Sequence, residues 1–453
     1  MTAESTTKAH FPFTFWSANT IELFERAAYY AVASFVVVYL KEGLGMSPTF
    51  ATFLNGSLLW GLIYFLPILS GTLADKYGFR RSLGVSFVML VLGYVIMGNV
   101  QRFWPRLAGG TSTTVDYTIP VVAGIVLIGI GGSIVKPCIA GTVQKTSGAF
   151  ATLGFGVFYM VINIGSITGR SVSYFVRREL GIPSIFFPVA AVFAGLGILI
   201  VLFLYREPEY VAGAKNTEAA PRKTLGQALG GIFMVLRDPK FVFFLVVIGL
   251  FWFLYVQLYN LIPLFLRYVD PNAPVELYTL ANPVMIVSLQ LLVTKIVKRW
   301  SPVKSILIGA GVTTAGMLIN VLPPLLFPGL SERVGWGSAT LPVAGAFLVV
   351  SIAAMAVGEM MASPRIYEYL GSIARRGEEG LYLGYANLPI ALGSIVGAPI
   401  GGMLFERFIA SPAKFNQPIQ AARMWTAVAL VGVVSMAGLA LYDRFVRKQR
   451  AMV

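Results

Sequence analysis

Six charged side chains lie inside long apolar stretches of this sequence. They are Glu22, Glu25, Arg26, Lys136, Arg170 and Glu359. A charge near the centre of a bilayer costs about 2.5–3.5 kcal/mol on insertion scales. If the apolar stretches cross a membrane, these groups must therefore face one another or a water-filled cavity.

Three of these charges fall within five residues of one another. Glu22, Glu25 and Arg26 follow an i, i+3, i+4 spacing, which puts them on one face of a helix and predicts a polar stripe that lines a central cavity. Carboxylates beside bases can gain or lose a proton when a neighbouring charge arrives or leaves. That exchange is the chemistry of proton-coupled transport; the alternative is a static salt-bridge network that holds the helices together.

Arg170 lies near the outer end of its apolar stretch. A gate salt bridge, snorkelling of the long side chain to the membrane interface and contact with a substrate remain open for it.

The composition indicates that the apolar stretches are membrane spans. Hydrophobic residues make up 57% of the 453 residues, charged residues only 12%, and the mean hydropathy is +0.75. A spanning helix needs roughly 20 apolar residues, so the chain has room for about a dozen. The long apolar runs favour helices over alternating strands, and the sequence predicts an all-α integral membrane protein.

The apolar runs divide into two groups of six, numbered spans 1 to 12 in chain order. The predicted spans are 15–40, 50–74, 82–101, 117–142, 150–174, 184–205, 241–266, 274–297, 303–328, 340–369, 381–408 and 420–443. We expect an N-terminal six-helix bundle at 1–205, a cytoplasmic linker at 206–240 and a C-terminal six-helix bundle at 241–453. Lys and Arg concentrate in alternate loops, which predicts a multi-pass protein of the inner or plasma membrane with both termini cytoplasmic.

Several classes of function do not fit this sequence. The chain has one cysteine and one histidine, so we expect no metal site and no cofactor. The net charge of +15 is spread over loops, which argues against a nucleic-acid partner. A membrane-embedded enzyme would need an Asp-rich or His-based site, and a channel would need a filter-like loop. The expected partners are a small-molecule substrate, protons and the lipid bilayer.

The loop after span 2 reads GTLADKYGFRR, from Gly71 to Arg81. It resembles the G-x-L-A-D-[RK]-x-G-x-[RK]-[RK] signature of the major facilitator superfamily, whose fold has twelve helices. The matching positions are Gly71, Asp75, Lys76, Gly78, Arg80 and Arg81. The resemblance implies a role in conformational change, in which Gly71 permits close helix contact and Asp75 accepts from helix-end N–H groups.

Two further stretches resemble the proton-coupled oligopeptide transporter family. Span 1 reads ELFERAAYY, similar to E-x-x-E-R-F-x-Y-Y with Ala27 in place of the aromatic residue. Span 5 reads FGVFYMVINIGSI, which matches F-x-x-F-Y-x-x-I-N-x-G-S. Shorter matches follow in GGSIVKP of span 4, FWFLYVQ of span 7, Asn282-Pro283 of span 8 and GEMMASP of span 10.

This resemblance implies two sets of functional residues. The proton-coupling set is Glu22, Glu25, Arg26 and Glu359. The substrate-binding set is Arg26, Tyr30, Tyr64, Lys136, Asn163, Tyr255, Gln257, Asn282 and Glu359. Bases from the first half would hold a substrate carboxylate and the acid of the second half would meet its amino group, an arrangement that suits a zwitterion.

The sequence also departs from the family pattern. Val256 stands before Gln257 where the family usually has an acidic residue, and span 11 lacks the family's tryptophan. The leading prediction is a secondary transporter that moves small peptides or similar zwitterions together with protons by alternating access, acting as a monomer. The alternative is a major facilitator symporter, uniporter or exporter for another small solute, such as an organic or inorganic anion.

Overall fold

The structure is a computed structural model that describes residues 11–108, 116–209, 237–336, 339–373, 385–410 and 417–450, with the single positions 226 and 230. Within these residues the chain is almost entirely helical. Most of the predicted linker at 206–240 lies outside the described residues.

The first half contains six spans. Span 1 comprises Phe13–Ala33, Val36–Val38 and the π-helical Tyr39–Gly43; span 2 comprises Pro48–Thr52, the π-helical Phe53–Trp60, Gly61–Phe65 and Pro67–Tyr77; span 3 is Phe79–Ala108; span 4 is Thr118–Ser147; span 5 is Ala151–Leu180; span 6 comprises Phe186–Ala190 and Ala191–Phe203. Short 3-10 turns at Gly148–Phe150 and Ile182–Ile185 precede spans 5 and 6.

The second half repeats this arrangement. Span 7 comprises Pro239–Val256, the turn Gln257–Tyr259 and Leu261–Val269; span 8 comprises Val275–Thr279 and Ala281–Val297; span 9 comprises Pro302–Ile319 and Leu322–Leu326; span 10 is Val343–Ile373; span 11 comprises Tyr385–Asn387, Leu388–Phe405 and Glu406–Ala410; span 12 is Pro418–Arg450.

The predicted number of spans is confirmed. By length and composition, ten helices of the described residues could cross a membrane, and the bent pair in span 1 raises this number to eleven. Span 5 is the twelfth span and is not among these eleven. It is long enough, with 30 residues, but Asn163, Ser166 and Arg170 lower its mean hydropathy. The sequence did not predict the antiparallel hairpin between spans 9 and 10, in which Arg333–Trp336 pairs with Ala339–Pro342.

Local sequence signals start several spans. Ser47, Asp238 and Ser301 each precede a proline at the first helical position, and each side chain accepts a hydrogen bond from a backbone N–H of the first turn. Such caps satisfy N–H groups that have no partner within the helix, and proline at the first position needs no N–H partner. Spans 2, 7 and 9 therefore begin where the sequence changes from loop to apolar run.

Spans 9 and 10 pack closely because small residues meet at their interface. A Cβ added at Gly309 would lie 2.6 Å from the backbone oxygen of Gly358, so no side chain fits there without moving a helix. Close approach of this kind is how helices associate in lipid, where neighbouring side chains gain little from the hydrophobic effect.

This interface gives a test of the fold. We expect Gly309→Ala to destabilise the protein by about 1–3 kcal/mol, the usual cost of overpacking. The measurement is the thermal unfolding midpoint of the purified protein, followed by tryptophan fluorescence. The matched control is Gly311→Ala on the same helix, where an added Cβ would meet only the flexible end of Met436, at 3.2 Å. Equal effects of the two substitutions would contradict the close contact.

Candidate functional site

One cavity of about 600 Å³ lies between the two halves. Spans 1, 2, 4 and 5 form its first wall, and spans 7, 8, 10 and 11 form the second. Tyr159 and Tyr367, which line it, are each 42% exposed, and Phe155 is 40% exposed. The cavity is therefore accessible from the end of the bundle near these residues.

The first wall carries one lining cation. Lys136 of span 4 places its Nζ 5.7 Å from the ring centroid of Tyr64 of span 2. Tyr30 and Asn163 line the same wall, and the Asn163 amide donates to the Tyr159 carbonyl oxygen at 2.9 Å. Four predicted substrate-binding residues thus lie together on one side of the cavity.

The second wall carries one lining carboxylate. Glu359 of span 10 accepts a hydrogen bond from the Asn282 side chain at 3.4 Å and another from the Tyr255 hydroxyl. The indole Nε1 of Trp252 and the hydroxyl of Ser363 are buried beside the cavity and have no hydrogen-bond partner in the described part of the chain. Both groups can form a hydrogen bond with a molecule bound in the cavity.

Lys136 and Glu359 interact electrostatically across the cavity. A positive group on one wall and a negative group on the other present complementary charges to a molecule that carries both signs. The polarity inferred from the sequence is therefore present in the structure.

The span 1 cluster occupies a different place from the one predicted. Arg26 forms ion pairs with Glu22, at 3.4 Å, and with Glu25, and all three side chains are buried. Span 1 contributes Tyr29 and Tyr30 to the cavity lining, and the three charged residues are not part of it. The cluster lies behind the wall, where Arg26 is paired with both carboxylates; electrostatic interactions connect it to Lys136.

Gln257 is also placed outside the cavity lining. Its side chain is fully buried and donates to the backbone oxygens of Phe253 and Gly397, both at 2.9 Å. Gln257 therefore joins span 7 to span 11. The motif match selected this residue for substrate binding, but a motif does not reveal which face of span 7 meets the cavity.

The sequence analysis did not select several lining residues. Ser166 belongs to the matched span 5 stretch, Trp252 and Tyr259 lie in or beside the span 7 stretch, and Trp60 lies one turn before Tyr64. Helical spacing from the chosen residues could have found Trp60 and Tyr259. Placing them at the cavity requires the packing of two spans against each other.

The loop motif fixes the start of span 3 to the end of span 6. Glu207 accepts hydrogen bonds from the backbone N–H groups of Phe79 and Arg80, at 2.7 and 3.0 Å. The Arg80 guanidinium in turn donates to the Leu202 and Val201 carbonyl oxygens, at 2.6 and 3.3 Å. A carboxylate thus caps one helix N-terminus and a base caps a C-terminus, as the helix dipoles favour.

Other motif positions have separate roles. Gly78 has a φ of +89°, a conformation that strongly favours glycine. A Cβ at Gly71 would lie 3.8 Å from Pro137, so this contact is ordinary rather than close. Lys76 and Arg81 are exposed, with the Lys76 Nζ 5.1 Å from the Tyr77 ring centroid. The side chain of Asp75 lies outside the described residues, so its predicted role as an acceptor stays a prediction.

A family model described as Major Facilitator Superfamily matches residues 20–346. The chain belongs to the Major Facilitator Superfamily.

Relatives within this superfamily include peptide permeases. Dipeptide and tripeptide permease B of Edwardsiella piscicida is 27% identical over 203 residues, which cover 43% of this chain and 37% of that protein. The chain therefore matches little more than a third of that permease. The uncharacterized MFS-type transporter YqjV of Bacillus subtilis is 24% identical over 437 residues, which cover 93% of this chain and 92% of the relative.

Solved structures agree on the fold. A mutant peptide transporter POT in complex with alafosfalin superposes with a TM-score of 0.70 at 17% identity, covering 96% of this chain and 95% of that chain. A POT family transporter in complex with 5-aminolevulinic acid gives a TM-score of 0.69 at 16% identity, with coverages of 94% and 96%. The resemblance read from the span 1 and span 5 motifs is confirmed.

The cavity lies between the two halves, and polar contacts join the halves at one end of the bundle. Among the described residues these contacts include Arg177–Glu276 at 2.5 Å, Arg267–Glu42 at 2.6 Å, Ser34–Thr279 at 2.8 Å and Asn55–Asn260 at 3.1 Å. We call this the closed end. It lies opposite the end from which the cavity is accessible.

The Arg177–Glu276 pair gives a test of the closed end. Glu276 is fully buried and accepts two hydrogen bonds from Arg177. We expect Glu276→Gln to open this end more often, because Arg177 loses its charged partner. The readout is the rate at which a membrane-impermeant maleimide labels Ser34→Cys in a Cys138→Ala background; a loss of about 1.4 kcal/mol would raise it roughly tenfold.

The matched control for this test is Glu179→Gln, an exposed glutamate on span 5, the helix that carries Arg177. It should leave the labelling rate unchanged. If Glu276→Gln also leaves the rate unchanged, the ion pair does not hold the closed end together.

Proposed function

We propose that this chain is a proton-coupled symporter of di- and tripeptides or similar zwitterionic solutes, working by alternating access. The observation that carries the proposal is the pair of lining charges, Lys136 on the first wall and Glu359 on the second. A zwitterion whose amino group meets Glu359 while its negative group is held by the first half would link the two halves and favour their closing around it. A solute with one charge could engage only one wall.

The size and chemistry of the cavity support this substrate class. About 600 Å³ falls within the range of roughly 300–1,000 Å³ typical of small-molecule sites. The permease relatives are named for dipeptides and tripeptides, and a peptide transporter of the same fold binds alafosfalin. A second transporter of this fold binds 5-aminolevulinic acid, which extends the candidate substrates to other zwitterions.

The span 1 cluster is suited to carry the proton. Arg26 stands between two carboxylates, so the three groups together hold one excess negative charge when both carboxylates are ionised. Glu25 hydrogen-bonds Arg26, while neither carboxylate oxygen of Glu22 has a hydrogen-bond partner in the described part of the chain. We therefore assign the proton to Glu22, with Lys136 as the electrostatic connection between the cluster and the substrate.

We further propose an inner-membrane location with both termini cytoplasmic, from the loop charges and the bacterial relatives. In this orientation the closed end faces outward and the cavity opens to the cytoplasm. The division into bundles at 1–205 and 241–453 around the linker at 206–240, and function as a monomer, belong to the same proposal.

One observation favours a second candidate. Val256 is buried in span 7 and supplies no charge where related carriers usually place an acid. Without that acid, Arg26 and Lys136 leave a more electropositive pocket, which would suit a carrier for an organic or inorganic anion. Substrate tests therefore need anions beside peptides.

Uptake into proteoliposomes tests the proposed function. With an inward proton gradient, we expect wild-type protein to accumulate labelled dialanine and trialanine, and we expect no accumulation without the gradient. Glu22→Gln should abolish gradient-driven accumulation while retaining exchange of labelled for unlabelled peptide, because only the proton site is lost. Glu25→Gln should lose both activities if Glu25 mainly positions Arg26.

The control is Glu368→Gln, which changes a half-exposed glutamate that does not line the cavity. It should transport as wild type does. If correctly folded wild-type protein takes up no peptide, the peptide assignment is wrong, and labelled succinate and nitrate become the next substrates. Gradient-driven uptake by Glu22→Gln would exclude Glu22 as the proton carrier.

A further inference from the structure

Arg170 is a buried cation that the proposed mechanism does not use. It lies on span 5 with 0% exposure and is among the largest fully buried side chains. Its guanidinium bridges the two halves, since Tyr259 and Thr279 belong to spans 7 and 8. A fully buried charge in a membrane protein is a candidate functional group by its cost alone.

The partners of Arg170 are neutral. It donates to Thr279 Oγ1 at 3.2 Å, to the Tyr259 hydroxyl at 3.2 Å and to the Ser166 hydroxyl, and it lies 4.5 Å from the ring centroid of Tyr30. Among the described residues no carboxylate oxygen forms an ion pair with it within 4.0 Å.

The nearest acid on the facing helix is already engaged. Glu276 lies one turn before Thr279, and both of its oxygens accept from Arg177, at 2.5 and 3.1 Å. Arg177 lies two turns after Arg170 on the same face of span 5, so the two arginines do not share this carboxylate. Hydroxyl groups can satisfy N–H donors, but they do not cancel a charge in a medium of low dielectric constant.

Arg170 lies directly beneath the cavity surface. Three of the residues that surround it, Tyr30, Ser166 and Tyr259, line the cavity. Tyr30 and Tyr259 also interact electrostatically with Glu359. Tyr30 and Tyr259 thus contact Arg170 on one side and line the cavity on the other, so a tyrosine side chain that turns aside would bring the guanidinium into reach of a bound molecule.

Arg26 is less suited to the same task. It is held by two carboxylates and does not line the cavity, so a substrate anion would have to displace Glu22 or Glu25. Arg170 would give up only neutral partners. An anion exchanged for a hydroxyl adds an opposite charge to the hydrogen bond, and a carboxylate can accept two parallel N–H bonds from the guanidinium.

We propose that Arg170 binds the negatively charged group of the substrate at the closed end of the cavity, while the substrate amino group meets Glu359. This inference rests on the proposed function for the zwitterionic substrate, but its anion-binding part is independent of peptides. The bound anion would also compensate a buried charge, so it favours the state in which the closed end is sealed.

Binding of paired ligands tests this role. The probes are dialanine and dialanine amide, which differ in the terminal carboxylate, and binding to purified protein in nanodiscs is measured by calorimetry. We expect wild-type protein to prefer dialanine by about tenfold to a hundredfold, the range of charged hydrogen bonds. Arg170→Gln should abolish this preference and leave the affinity for the amide unchanged.

Three variants separate binding from structure. Arg170→Lys should keep part of the preference, because the charge remains without the fork of donors. Arg178→Gln, an exposed arginine on the same helix, should behave as wild type. Ligand-free Arg170→Gln should not unfold at a lower temperature than wild type, since the substitution removes an uncompensated buried charge.

Other outcomes overturn the proposal. Equal loss of both ligands in Arg170→Gln would indicate a structural role. Loss of the preference in Lys136→Gln, with the preference retained in Arg170→Gln, would assign the carboxylate to Lys136. If wild-type protein binds neither peptide, the proposed function fails instead. Acetate, succinate, nitrate and phosphate are then tested for their ability to raise the unfolding temperature of the protein. A rise that is lost in Arg170→Gln supports anion binding at Arg170, and an equal rise in both proteins contradicts it.

Discussion

The cost of burying charge in a membrane determines where the functional groups of this protein lie. Each intramembrane charge must find a partner, a cavity or a set of polar neighbours. Arg26 satisfies this requirement with two carboxylates, Lys136 and Glu359 satisfy it at the cavity surface, and Arg170 donates to three hydroxyl groups and lies over the Tyr30 ring. These three solutions correspond to the three roles proposed for them.

The same cost connects the site to the movement of the halves. The two walls of the cavity come from different halves, and so do the partners in the Arg177–Glu276 ion pair. A substrate that neutralises lining charges therefore acts on the relative position of the halves as well as on the site. The neutral contacts at the closed end, Ser34–Thr279 and Asn55–Asn260, can separate without leaving an isolated charge in lipid. The two ion pairs at that end must be hydrated when it opens.

Much of the fold could be predicted from the sequence. The twelve spans, their order and the start of spans 2, 7 and 9 follow from apolar runs and from Ser-Pro and Asp-Pro signals. The antiparallel hairpin between spans 9 and 10 did not follow, because its strands are only four residues each. Most of the predicted substrate-binding set does line the cavity: seven of its nine residues do so, namely Tyr30, Tyr64, Lys136, Asn163, Tyr255, Asn282 and Glu359.

Three features of the site depend on the tertiary structure. Whether the Glu22–Arg26 stripe faces the cavity or lies behind it depends on how span 1 rotates against its neighbours, and a helical pattern fixes the face but not what the face meets. Gln257 faces span 11 because of the rotation of span 7 against its neighbours, which the helical pattern does not fix either. The sequence left three roles open for Arg170: a gate salt bridge, snorkelling and contact with a substrate. The choice among them depends on its hydroxyl partners on spans 7 and 8, which only the tertiary structure shows. The sequence by itself determined which residues carry charge and which stretches cross the membrane, because composition and spacing are local properties. Packing between distant spans decided which of those charges line the cavity, because that depends on contacts between residues far apart in the chain.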